Sequence, residues 1–194
     1  MRHPTVLIVP GLRDAVAEHW QTLLEAELRA AGRPVASVPP MGRDDLALAP
    51  RIDALERAAQ AIDGPLLIVA HSGGCVTVVH WAAQTQRPVH GALLATPPDF
   101  DQPLPAGYPA LDALHAAGWL PVPRRALPFR SIVAASRNDP LASIDRVAGL
   151  AGDWGSSLSD LGAVGHLNPA SGFGPWPRAH DFIAQLSAAE HAPA

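Results

Sequence analysis

Short blocks that are apolar at every position alternate along the chain with longer segments whose apolar residues recur every three or four positions. Four of the blocks, TVLIVP (5–10), PLLIVA (65–70), GALLAT (91–96) and SIVAAS (131–136), carry β-branched residues and no polar face, the pattern of strands buried on both sides of a parallel sheet. Two weaker blocks, PVASVP (34–39) and SSLSDL (156–161), complete that sheet. Segment 19–31 puts Trp20, Leu23, Leu24 and Leu28 near one helical face, and segment 46–62 does the same with Leu48, Ile52, Leu55 and Ile62. Strand and helix alternate throughout, which predicts a doubly wound α/β architecture of about six mostly parallel strands with helices on both faces.

Composition narrows this picture. The 194 residues, 48% of them hydrophobic, fit one domain, 1–194, with a sizeable core, and no repeat or linker divides it. The formal charge of -4 and the lack of any basic run argue against nucleic acid or an anionic membrane as partner. A single cysteine, Cys75, excludes an internal disulfide and fits a reducing cytoplasm. The apolar run near the N-terminus stops at Pro10 and Gly11 without a cleavage signal, and no segment approaches the roughly 20 apolar residues of a membrane span. Segment 97–129, rich in Pro and Gly around one helix at 110–117, breaks the rhythm and reads as a short covering loop over the carboxyl edge of the sheet.

In such sheets, chemistry gathers in the loops that follow the strands. Directly after PLLIVA stands AHSGG, residues 70–74, a G-x-S-x-G nucleophile elbow with Ala70 in the first glycine position. The turn is tight enough that the positions flanking the serine must be small, and Ala70 adds one methyl. Such a turn lifts Ser72 clear of the sheet and aims the Gly73 N–H and the positive helix end at an oxyanion.

A serine at its ordinary pKa is a poor nucleophile and needs a base oriented by an acid, in chain order Ser, Asp, His. Asp139 follows the strand at 131–136, and His166 sits in a Gly-rich loop after the last strand, so both share the carboxyl edge with Ser72. Rival candidates are worse placed. Asp99 and Asp101 lie in the covering loop; Asp145 and Asp153 lie within or after a helix. His180 falls in the final helix and His191 in the tail. His71 and His80 belong to the elbow unit itself, where His71 is expected to pack or hydrogen-bond beneath the turn. The second oxyanion donor is expected from the loop VPGLRD, as the backbone N–H of Leu12, with Arg13 as the alternative.

With these residues in view, the chain resembles the retinoblastoma-binding-protein-like serine hydrolases, a family of small α/β-hydrolases. The likeness covers nearly the full length and rests on VPGL, EHWQ (18–21), AHSGG, ASRNDP (135–140), DWGSS, GHLN and SGFGPWP. It implies an α/β-hydrolase fold without a large lid domain, a Ser72, Asp139, His166 triad acting on small carboxylic esters or related acyl compounds, and neither metal nor organic cofactor. The protein-binding property that names the family is not carried over, because no residue run here maps to it.

Several residues carry two readings. His19 and Trp20 either wall the site or hold the first helix, with Trp20 packing the PGLRD loop; the structural role is preferred. Trp154, Phe173 and Trp176 either line an acyl pocket or shield the His166 loop, and shielding is preferred. Cys75 reads as a small core residue. Two other functions stay open: a protein-binding module on an unused hydrolase scaffold, and the same chemistry on a peptide, thioester or lactone.

Overall fold

Residues 3–12, 16–42 and 44–188 are described by a computed structural model, so Arg13 and His191 lie outside the described residues. Every predicted strand block forms a strand: β1 Thr5–Val9, β2 Val35–Ser37, β3 Leu66–His71, β4 Gly91–Ala95, β5 Ser131–Ala135 and β6 Ser157–Asp160. They form one sheet in the order β2-β1-β3-β4-β5-β6, with every neighbouring pair parallel. The helices are α1 Trp20–Ala30, α2 Leu48–Gln60, α3 Gly73–Ala82, α4 Leu111–Ala116, α5 Ile144–Asp153 and α6 Arg178–Ala188. Among the described residues no helix is long and apolar enough to cross a membrane.

Strand alternation explains why the blocks are apolar at every position. Leu7, Val9, Ile68, Ala70, Leu94 and Val133 pack with residues of α2, α3 and α5, while Val6, Ile8, Leu67, Val69, Leu93 and Ile132 pack with residues of α1 and α6. Each central strand is thus buried on both faces.

Strand order also sets where a site can form. From β1 the chain moves outward to β2, then returns to β3 on the other side of β1, so the loops after β1 and β3 diverge and leave a crevice between them. Gln21, in the first turn of α1, spans that crevice: its Nε2 donates to the carbonyls of Val9 and Val69, each at 3.1 Å.

Segment 97–129 covers the carboxyl edge only in its first half. From Trp119 onward it descends along α3, where His80 Nε2 bonds the Trp119 carbonyl at 3.1 Å and the Arg125 guanidinium donates to the Ala83 carbonyl at the helix end. Trp119 and Val122 are too apolar to stay over an open edge and are buried in the core on the α3 side. The Trp119 indole N–H is satisfied by Leu46 O at 2.7 Å.

Candidate active site

Strand β3 ends at His71 and α3 begins at Gly73, so the chain reverses through Ser72 alone. This forces Ser72 to φ 54°, ψ -129°, a strained backbone for a residue with a Cβ. The two small positions around the serine have unequal duties. A Cβ on Gly74 would lie 2.5 Å from Pro10 O and 2.7 Å from Val9 O, so helix and strand end touch backbone to backbone. The Ala70 methyl instead packs in the core on the α3 side. Leu12 folds over the elbow, its Cγ 2.8 Å from where a Cβ on Gly73 would stand.

His166 arrives beside Ser72 on a loop closed by its own polar side chains. Its backbone N–H donates to Ser171 Oγ at 3.0 Å, which in turn donates to Asn168 Oδ1 at 2.9 Å. Gly165 has φ 57°, and a Cβ there would meet Ser171 Oγ at 2.5 Å. Asn138 Oδ1 accepts from the Gly165 N–H at 2.7 Å and from Ser136 Oγ at 3.0 Å, tying the Asp139 loop to the His166 loop.

These supports bring Ser72, His166 and Asp139 into one hydrogen-bonded row. His166 Nδ1 lies 3.0 and 2.9 Å from the two oxygens of Asp139, and its Nε2 lies 2.8 Å from Ser72 Oγ. A carboxylate only accepts, so Nδ1 carries the proton and Nε2 of the neutral ring accepts from the serine hydroxyl. The Asp139 side chain is 1% exposed and also accepts from the Leu141 N–H at 2.9 Å.

Alternation along β3 turns His71 to the α1 and α6 face, beneath the His166 loop. There its Nε2 donates to the His166 carbonyl at 2.9 Å, and its ring centroid lies 5.0 Å from that of His166 and 4.8 Å from that of His19. His19 caps α1: its Nδ1 accepts from the Gln21 N–H at 3.2 Å. Burial, then the nearby His166 ring, lowers His19 to about 4. Full burial, then His166 and His19, holds His71 well below the usual range.

Both rings are therefore neutral in the folded protein, while the unfolded chain protonates them near pH 6.5. Unfolding takes up protons as pH falls from about 6.5 toward 4, so stability is full above that window and is lost within it. The urea midpoint at pH 5 is expected to fall below that at pH 7.5 by the equivalent of about 1–2 kcal/mol from His19, with His71 acting in the same direction. The pH dependence should weaken in His19→Asn, which keeps a capping acceptor; an equal slope in both proteins would show that His19 is not held neutral.

The rival groups are engaged elsewhere. Asp99 is buried and pairs with Arg146 at 2.7 and 3.1 Å, while Asp101 pairs with Arg124 and Arg146. Asp153 pairs with Arg124 at 2.9 Å, Asp145 lies in the first turn of α5, and His180 bonds Glu27 at 2.7 Å. Cys75 is buried, its thiol bonded to Ala95 O, and burial pushes its pKa well up.

One tryptophan departs from expectation. Trp154 neither lines the site nor shields His166; it fills the core at the end of α5 and donates to Pro123 O at 2.9 Å. Trp20 is buried and structural, as expected, and packs edge-on to His71 and Trp176; Arg13 and Asp14 of the PGLRD loop lie outside the described residues. Trp176 backs that cluster from below. Sequence reasoning gave no role to Gln21, Asn138, Asn168 and Ser171, although they stand in EHWQ, ASRNDP, GHLN and SGFGPWP; Asn168, an Asn-Pro pair capping a short 3-10 helix over Pro169–Ser171, also carried a turn signal of its own.

Ser72, His71 and His166 open into a cavity of about 620 Å3, a size ordinary for small-molecule sites. Its walls include Leu12 and Val38, the α1 residues Gln21 and Glu25, and Phe100 and Tyr108 of the covering segment.

A parallel six-stranded sheet with a serine on the turn after β3, facing a histidine and a buried aspartate, defines a serine hydrolase of the α/β-hydrolase fold. The chain belongs to the serine hydrolase family, whose model matches residues 6–185. No curated protein sequence matches it. Among solved structures, a YdeN-like hydrolase from Pectobacterium atrosepticum is similar at TM-score 0.76 and 29% identity, over 95% of this chain and 91% of that one. The ydeN gene product from B. subtilis is similar at TM-score 0.75 and 20% identity, over 94% and 98%. An esterase domain from a Rhodothermus marinus protein is similar at TM-score 0.63 and 16% identity, over 89% and 82%.

Proposed function

We propose that the protein hydrolyses small carboxylic esters through an acyl-enzyme on Ser72. The observation that carries this reading is the unbroken row from Asp139 through His166 to Ser72 Oγ at the wall of the cavity. His166 Nε2 takes the Ser72 proton as Oγ bonds to the substrate carbonyl carbon, and Asp139 stabilises the resulting imidazolium. The N–H groups of Gly73 and Leu12 receive the oxyanion, a role supported by the backbone of the loop after β1 lying against the serine: a Cβ on Gly11 would stand 3.2 Å from Ser72 Cβ. His166 then returns the proton to the leaving oxygen, and a water, deprotonated in turn by His166, releases the acid. The serine hydrolase family and the esterase among the similar structures favour an acyl bond of this kind. The motifs VPGL, AHSGG and ASRNDP resemble those of the retinoblastoma-binding-protein-like hydrolases, which is consistent with this reading. Turnover of p-nitrophenyl butanoate, with a fluorophosphonate adduct mapped to the peptide containing Ser72, is the expected result. Absence of both would refute it.

A further inference from the structure

Resting on that reading, we infer that the alcohol portion of the natural ester is a polyhydroxy group, held by an acceptor-rich pole that α1 and β2 present on the His166 side of the cavity. The leaving oxygen takes its proton from His166 Nε2, so the alcohol departs on the side of that ring. His19 stands on this side, reached from His166 through the ring contacts of His71, and Gln21, Thr22 and Glu25 follow it along α1. Together with Ser37 at the end of β2, they wall this end of the cavity. Phe100, Leu104, Tyr108 and Leu141 give the covering-segment end an apolar wall suited to an acyl chain.

What singles out this pole is that its donor hydrogens are already committed to the protein. Both Gln21 amide hydrogens point at strand carbonyls, Val9 O and Val69 O, which fixes the amide orientation without ambiguity. Its Oε1 therefore faces away from those strand ends, no donor among the described residues reaches it, and the residue is only 5% exposed. The Thr22 hydroxyl donates to Val16 O at 2.9 Å, and the Ser37 hydroxyl to Glu25 Oε2 at 2.6 Å. What remains to a ligand is lone pairs: Gln21 Oε1, Thr22 Oγ, Ser37 Oγ and the Glu25 carboxylate. Arg29 offsets the Glu25 charge, so the pole is a set of dispersed, nearly neutral acceptors rather than a seat for a cation. Neutral His19, accepting at Nδ1, adds one donor at Nε2. A group with several hydroxyls matches this set; a plain alkyl alcohol would displace water from these acceptors without replacing its hydrogen bonds.

The test compares esters of one acid: glyceryl, propyl and 2-(trimethylammonio)ethyl butanoate, with p-nitrophenyl butanoate as the reference. The wild-type protein is expected to prefer the glyceryl over the propyl ester by about tenfold or more in kcat/KM, the return from one or two neutral hydrogen bonds. In Glu25→Ala/Ser37→Ala the ratio should fall toward one, with the change carried by KM. A wild-type ratio near one, with p-nitrophenyl butanoate still turned over, overturns this inference and leaves the esterase reading standing. Preference for the cationic ester over the glyceryl one overturns it in favour of a charged alcohol, and a ratio that persists in the double variant removes the assignment to this pole. Failure to turn over any of the four esters overturns both proposals.

Discussion

Replacing Ser72 by Ala is expected to lower kcat for p-nitrophenyl butanoate by roughly 10⁴ to 10⁶-fold, while leaving the urea midpoint within measurement error. The two halves of that expectation have separate physical grounds. Alanine is as poorly suited as serine to φ 54°, so the elbow keeps its strain, and only the hydrogen bond to His166 Nε2 is lost from the folded state. The catalytic loss is large because the oxygen is the atom that forms the acyl bond, and what survives is the contribution of the oxyanion donors and of substrate positioning. His166→Ala should cost about as much, since a serine hydroxyl without its base stays protonated at neutral pH. The double variant should fall no further than either single one, because the row works as a unit. Losses that multiply instead would show that Ser72 and His166 do not share one step.

The sheet is legible in the sequence because its signal is local: stretches such as LLIVA are apolar at every position only when both faces are covered, and that pattern survives in a window of about five residues. The meeting of Ser72, Asp139 and His166 is legible for a different reason. Residues that end successive parallel strands share one edge of the sheet, so chain order alone brings distant positions together. What the sequence hides is which side chain closes a gap between segments. Gln21 bonds a strand carbonyl 48 positions away, and although it stands in the motif EHWQ nothing local names that partner; His71, expected to bond beneath the elbow, finds a carbonyl 95 positions away that no local pattern identifies. Trp154 looks like a residue near the site because it stands shortly before the His166 loop. It is drawn into the core because the second half of segment 97–129, whose path no periodicity revealed, packs there and supplies its hydrogen-bond acceptor. The acceptor-rich pole was hidden in the same way, since it needs α1 and β2 side by side to exist.

Gly74→Ala is expected to destabilise the protein by about 3–5 kcal/mol, enough to remove much of the soluble yield at 37 °C. Most added methyl groups meet the tip of a flexible side chain, which yields cheaply. Here the new Cβ would stand 2.5 Å from Pro10 O and 2.7 Å from Val9 O, both backbone atoms. The Val9 carbonyl cannot retreat freely: β1 is paired on both sides, with β2 and β3, and this oxygen also accepts from Gln21. Relief must come from moving Pro10 to Leu12 away from the elbow, which takes the proposed Leu12 donor out of reach of an oxyanion. The surviving folded fraction should therefore lose activity beyond its loss of population, whereas a pure stability defect would leave kcat per folded molecule unchanged. Gly149→Ala supplies the contrast. That glycine is exposed in the interior of α5 with nothing within 4 Å of its Cβ position, so the same methyl should raise stability by about 0.5–1 kcal/mol through lower unfolded-state entropy and better helix propensity. Urea midpoints that move in opposite directions for the two variants would tie the cost at position 74 to the closeness of α3 and β1. Midpoints that move together would mean that the elbow helix does not rest on the end of β1.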